Sequence, residues 1–180
     1  MDYTDIETVE ANLGFTNSSE ETRAFLAQLI SDASAMVDNY CGRTFGIPDG
    51  QAVTAETFTD DNGRLIDDFG RTLWLDKDLC STPTFAEVPA PTCTYLPSDT
   101  PYSRIVREDG IWPDPTVITG HWAYSMTPPA VISRVTVRLV QWLYHQTEAV
   151  MSQGQTVNGP NNMPTDIRNA LNYYRRLRLP

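Results

Sequence analysis

Lysine is almost absent from this chain: of its 13 basic residues, 12 are arginine and Lys77 is the one lysine. Arginine tolerates partial burial and binds carboxylates in a bidentate fork, so the bias suits contact surfaces more than bare solubility. Histidine is scarce as well. Neither His121 nor His145 has a partner at metal-ligand spacing, and no metal site is expected. The three cysteines, Cys41, Cys80 and Cys93, are odd in number and form no CxxC pair. That excludes a disulfide framework and reads as reduced thiols buried like small apolar residues. No apolar run reaches the length of a membrane span, and the start, Met-Asp-Tyr-Thr-Asp, has no signal-peptide character. The sequence contains no GxSxG, HExxH, P-loop or GxGxxG pattern. With no nucleophile–base arrangement either, the chain is expected not to be an enzyme and to need no cofactor.

Charge is plentiful but uneven. Residues 1–100 carry 18 acids against 5 bases, a net of −13, and residues 101–180 carry 5 acids against 8 bases, a net of +3. An acidic body of this kind argues against nonspecific nucleic-acid binding as the main task, although it lets DNA pass nearby without adhering. A length of 180 residues is enough for one domain with a real hydrophobic core.

The strongest helical signal runs from Ser18 or Ser19 to Gly42. Phe25, Leu26, Leu29, Ile30, Ala33, Met36, Val37 and Tyr40 follow the i, i+3, i+4, i+7 series, with Arg23, Gln28, Asp32 and Asp38 expected to face water. A shorter helix over 4–13 opens on Thr4-Asp5-Ile6-Glu7, a Thr-x-x-Glu capping pattern, and stops at Gly14. A third helix over 128–146 should be capped by Thr127, with Pro128 and Pro129 in its first turn. Its Ile132, Val135, Leu139 and Leu143 lie on one face. Arg134, Arg138, Gln141 and His145 form a narrow polar stripe opposite, and Val131, Val137, Val140, Trp142 and Tyr144 fill the flanks. A helix apolar on most of its circumference is covered on more than one side. The expected core is Phe25, Leu29, Ile30, Ala33 and Val37 against Ile132, Val135, Leu139 and Leu143. Val137, Val140 and Tyr144, with the aromatic pair Trp122 and Tyr124, are expected to meet another layer or another subunit.

Between these helices the pattern becomes β-like. Pro48-Asp49-Gly50 is a turn, 54–59 an alternating strand and Asp60-Asp61-Asn62-Gly63 a hairpin turn. Short strands are expected over 64–67, 72–75, 92–96, 102–107 and 116–118, with Leu73 and Leu75 on one face and Trp74 on the other. Seven prolines in residues 80–116 forbid a long helix or a central strand there. The acidic turn fails as a calcium loop, because Phe58 and Phe69 stand where ligands are needed. Asp67-Asp68 and the pair Asp76 and Asp78 could supply paired carboxylates for a hydrolase, but acids in strand-flanking turns are usually solvated. The expected architecture is α+β: a small helical bundle in which the helices at 19–41 and 128–146 pack together, a β-rich insertion over about 50–124, a loop over 147–164, and an arginine-rich C-terminal helix over 165–180. The stripe of that last helix is Ile167, Ala170, Leu171, Tyr174 and Leu177. Its Arg168, Arg175, Arg176 and Arg178 either compensate its dipole or anchor an acidic partner.

The order of several segments resembles the head–tail connector, or adaptor, proteins of tailed phages. These segments are the capping-box helix ending at Leu13-Gly14, and Tyr40-Cys41-Gly42-Arg43-Thr44-Phe45, similar to the family's Tyr-x-Gly-Arg-x-Phe ending. Leu73-Trp74-Leu75-Asp76 and Thr119-Gly120-His121-Trp122-Ala123-Tyr124 follow, and Pro128-Pro129-Ala130 opens the long helix. The departure is Ala123, where the family often has glycine. The resemblance implies a structural virion protein made in the host cytoplasm and placed at the virion neck. It implies a ring of twelve copies under the portal, a stopper or tail-terminator protein on the far side, and genomic DNA in the lumen without sequence specificity. No membrane is involved. On that reading residues 1–146 are the connector domain, and Arg168, Arg175, Arg176 and Arg178 contact the portal. The competing readings are another neck component such as a stopper, a hydrolase using aspartates, and a cytosolic binding module.

Overall fold

The computed structural model describes residues 1–47, 51, 53–59, 70–86, 88, 91–153 and 163–176. The fold is α+β. Its elements run α1 (Ile6–Leu13), α2 (Glu20–Cys41), β1 (Thr54–Phe58), β2 (Thr72–Leu79), β3 (Thr84–Phe85), β4 (Cys93–Leu96), β5 (Tyr102–Arg107), β6 (Thr116–Gly120), α3 (Ala130–Gln153) and α4 (Thr165–Asn172). They divide into a helical unit, residues 1–42 with 128–180, and a sheet unit, residues 43–127.

In the helical unit, caps set the helix ends. Asp5, not Thr4, caps α1: its carboxylate accepts the Thr8 N–H at 2.7 Å. A carboxylate caps more strongly there because it also meets the helix dipole, and that bond holds the Asp5 carboxyl below its ordinary pKa. Ser19 caps α2 by accepting the Thr22 N–H at 3.2 Å, and Gly42 closes it in the left-handed conformation, its N–H donating to the Asp38 carbonyl at 2.8 Å. Leu26, Leu29, Ile30, Ala33, Val37 and Cys41 form the buried seam of α2. Phe25 was expected in that seam but is 37% exposed. The seam runs through Leu26 instead, and the Phe25 ring lies at its edge, 6.2 Å from the Tyr144 ring.

Helix α3 packs against α1, α2 and α4 of its own chain. It starts later than its prolines suggest, with the Ser133 N–H donating to the Pro129 carbonyl at 3.2 Å. Thr127 is therefore not the cap, and its carbonyl instead accepts the Ser125 hydroxyl at 2.7 Å. The helix continues to Gln153, into what was expected as loop; residues 154–162 of that expected loop lie outside the described residues. Ile132, Val135 and Leu139 are buried as the periodicity requires, while Leu143 is only half-buried. At about 2 kcal/mol for each fully buried aliphatic side chain, this seam is the main stabilising feature of the unit.

The N-terminus is tied down by a residue without helical periodicity to mark it. Tyr3 is buried, donates its N–H to Ser34 Oγ at 3.1 Å, and donates its hydroxyl to Asp38. Asp38, expected in water, is half-buried, and that burial raises its carboxyl pKa.

Among the described residues the sheet unit holds two antiparallel three-stranded sheets, ordered β1-β6-β3 and β2-β5-β4. They share one core of Phe58, Leu73, Leu75, Leu79, Ile105, Trp112 and Ile118. Alternation places Leu73 and Leu75 inside and Trp74 outside. The strand at 72 runs four residues beyond the expected 75, to Leu79, and β3 had no expected counterpart. Gly120 is fixed by close approach: a Cβ there would lie 2.6 Å from Leu79 Cδ1. The expected turns at 48–50 and 60–63 and the strand at 64–67 lie outside the described residues.

Candidate interaction surfaces

The C-terminal segment begins with α4, whose Ile167 and Leu171 are buried and whose Asp166 pairs with Arg138 of α3. The α-helix ends at Asn172, well short of the expected 180. Tyr174 N–H turns back to the Leu171 carbonyl at 2.8 Å, and the Arg176 N–H donates to the Cys41 carbonyl at 2.8 Å. Asn172 Oδ1 accepts the Tyr40 hydroxyl at 2.7 Å, and the Arg175 guanidinium stands 5.3 Å from the centre of the Tyr40 ring. The segment leaves the helical path through a tighter turn, the Tyr174 and Arg175 N–H groups donating to the Leu171 and Asn172 carbonyls, before the Arg176 N–H reaches the end of α2. The last turn of α2 has no basic residue of its own. Arg175 and Arg176 bring positive charge to that helix end in space rather than in sequence, where the dipole favours it.

Of the four arginines expected on one helix, only Arg168 is on α4, with Nη2 donating to the Met163 carbonyl at 3.1 Å. Arg175 and Arg176 follow the helix, and Arg178 lies outside the described residues, as does Leu177. Beside them Tyr173 is 93% exposed, an aromatic that periodicity had not singled out.

The residues expected to meet another layer or subunit divide in two. Val137 and Val140 are buried inside the helical unit, and Tyr144 packs its ring 5.8 Å from Phe15 as well as beside Phe25. In the sheet unit, Trp122 stacks 5.9 Å from Phe58 and donates Nε1–H to the Thr54 carbonyl at 3.0 Å. Tyr124 donates its N–H to the Thr44 carbonyl at 2.7 Å and packs 5.4 Å from Phe45, with the Arg43 guanidinium 5.1 Å from its ring centre. The segments 43–45 and 122–125, far apart in sequence, are thus stitched together. Arg43 Nε also lies 3.4 Å from Asp78 Oδ2, with both side chains largely buried. Asp78 was expected to be solvated; the arginine beside it accounts for its burial.

The exposed side of the β2-β5-β4 sheet carries Trp74, opposite Arg104 in the register, with the guanidinium 4.6 Å from the indole centre. Tryptophan and arginine are the side chains most enriched where binding energy concentrates. Trp74 was visible as an outward residue; Arg104 was not, because its partner is set by the register with β5.

Of the candidate aspartates, Asp76 is exposed, Asp78 is in the ion pair, and Asp67 and Asp68 lie outside the described residues. Among the described residues, no group of three His, Cys, Asp or Glu side chains could hold a metal, and no helix is long and apolar enough to cross a membrane. Burial raises the Cys80 thiol pKa and pushes Cys93 up to about 11, so both are protonated and weakly nucleophilic at neutral pH.

No protein-family model and no curated protein matches the chain. Solved structures do. A chain from the neck of the empty GTA particle, computed with C6 symmetry, superposes with a TM-score of 0.63 at 14% identity, covering 97% of this chain and 90% of that one. A chain from the neck of the native GTA particle, computed with C12 symmetry, gives 0.53 at 18% identity, covering 88% of each. The likeness runs through both units, and this chain shares the α+β fold of those neck chains.

Proposed function

We propose that this protein is a structural component of a particle neck: an adaptor that forms a ring between a portal and a stopper or tail, with DNA passing through the lumen. The observation that carries the reading is the fold shared over 97% of the chain with a neck chain. The C6 and C12 symmetries of the neck structures support assembly of identical copies into a ring, and the twelve copies suggested by the sequence resemblance accord with C12. A net charge of −10 supports a channel to which DNA does not adhere. Residues 1–146 serve as the connector body, and the C-terminal segment with Arg168, Arg175, Arg176 and Arg178 attaches it to the portal. The function is architectural rather than enzymatic.

The test is a native mass measurement of the full chain alone and mixed with portal protein. The mixture should give a ring of this chain on the portal. A variant combining Arg168→Glu and Arg175→Glu should remain folded by circular dichroism and fail to bind. Portal binding unchanged in that variant would remove the C-terminal segment from the contact. Absence of any complex between the wild-type chain and portal would overturn the adaptor role.

A further inference from the structure

The polar stripe of α3 has a use that the neck reading alone does not give it. Its four members part company in the structure. Gln141 donates to the Asn12 carbonyl at 3.1 Å, and His145 is exposed beside Tyr144. Arg134 and Arg138, one helical turn apart, border an open cleft of about 420 Å³ between α3 and the N-terminal segment with α1. Val137 lies between them, and Tyr3, Thr4 and Thr8 line the opposite wall.

Arg138 is shared with Asp166. Arg134 donates one N–H to the Ala130 carbonyl of its own helix at 3.4 Å, and among the described residues no carboxylate pairs with it. One acid lines the cleft, Asp5, and its carboxylate is committed to capping α1. The cleft therefore offers a guanidinium with donors to spare, hydroxyls that can bond a peptide backbone, and a small apolar floor. This is the chemistry that receives an extended acidic segment.

We propose that the cleft between α1 and α3 is the docking site for an acidic segment of a neighbouring copy of this chain, with Arg134 as its principal anchor. The proposal rests on the ring reading given above. Charge complementarity identifies the occupant: among the described residues Glu20, Glu21, Asp76 and Asp99 are exposed, so each copy presents carboxylates that the next copy's cleft can take. A contact between two different surfaces is also the kind that closes into a cyclic ring rather than a two-fold dimer.

The test is sedimentation of the full chain from micromolar to millimolar concentration at low and high salt. The wild-type chain should self-associate, more strongly at low salt. Arg134→Glu should raise the dissociation constant at least tenfold. Thr8→Glu places a carboxylate on the facing wall without touching either arginine, and it should weaken association in the same direction if Arg134→Glu misfolds. Gln28→Glu adds the same charge on the exposed side of α2 and should associate like the wild type. A wild-type chain that stays monomeric throughout overturns the proposal, as does salt-independent association, an unaffected Arg134→Glu, or an equal loss in Gln28→Glu. A double-stranded DNA fragment bound at low salt and released by Arg134→Glu would assign the cleft to phosphate and overturn it too. Portal-bound rings that form normally with Arg134→Glu would sink the cleft while leaving the neck reading standing.

Discussion

The helical unit and the sheet unit are held together by different means. In the helical unit a side-chain cap or a left-handed glycine closes α1 and α2 at each end, and a seam of like aliphatic residues joins α2 to α3. Unlike groups meet in both units, but in the helical unit the ion pair of Arg138 with Asp166 is exposed. The sheet unit instead sets a little-exposed ion pair, Arg43 with Asp78, beside guanidinium over tyrosine, and adds guanidinium over tryptophan and tilted aromatic pairs around its core. The first kind of stability is distributed along the chain and additive over separated sites. The second is concentrated in coupled neighbours, where removing one partner strands the other.

Substitutions can break or sharpen that contrast. The largest loss should come from Leu139→Ala in the α3 seam. Its side chain is fully buried, and truncation should cost roughly 3–4 kcal/mol, read from urea unfolding at 222 nm. Arg43→Met should cost about 3 kcal/mol by leaving the Asp78 carboxylate buried without its guanidinium. Adding Asp78→Leu should then restore at least half of that loss. Near-ultraviolet circular dichroism would report it, since Trp112 and Trp122 both lie in this unit. A double variant no better than Arg43→Met would erase the distinction between coupled and additive regions. Ser19→Ala should cost only about 1 kcal/mol, the value of one N-cap.

The smallest effects separate two aspartates of the helical unit by sign. Burial raises the Asp38 pKa, so its contribution to stability is fully present below the unfolded value and is lost as pH rises through the folded one. Relative to Asp38→Asn, the wild-type chain should therefore gain stability as pH falls toward the ordinary carboxylate value of 3.8. Capping lowers the Asp5 pKa, so Asp5→Asn should show the reverse: the advantage of the wild type is present above 3.8 and fades in acid. Thermal melts across that pH range would check both, and parallel slopes would show that the two carboxyls share one environment.

The same contrast explains what could be read from the residues. Helices α1 and α2, the seam from Leu29 to Val37, and strand β5 follow from periodicity and punctuation, which act over a few neighbouring residues. Phe25 and Leu26 fit the same period, and only the packed partner decides that Leu26 is the buried one. Arg43 with Asp78, Arg104 with Trp74, and Arg176 with Cys41 depend on contacts between segments far apart in sequence, for which no local signal exists. The surface arginines were visible as a composition bias. Their division among a helix end, an ion pair and an open cleft was not.

The hydrogen bond from the Arg176 N–H to the Cys41 carbonyl carries one more consequence. Any movement that frees the C-terminal segment for a partner also uncovers the end of α2. The carbonyl of Cys41 and the hydroxyl of Tyr40 then lose their present acceptor or donor together. Any binding that pulled this segment away would thus be thermodynamically linked to fraying of α2. A partner that supplies a replacement donor would leave α2 intact. One that does not would show its occupancy as faster amide exchange in the last turn before Gly42.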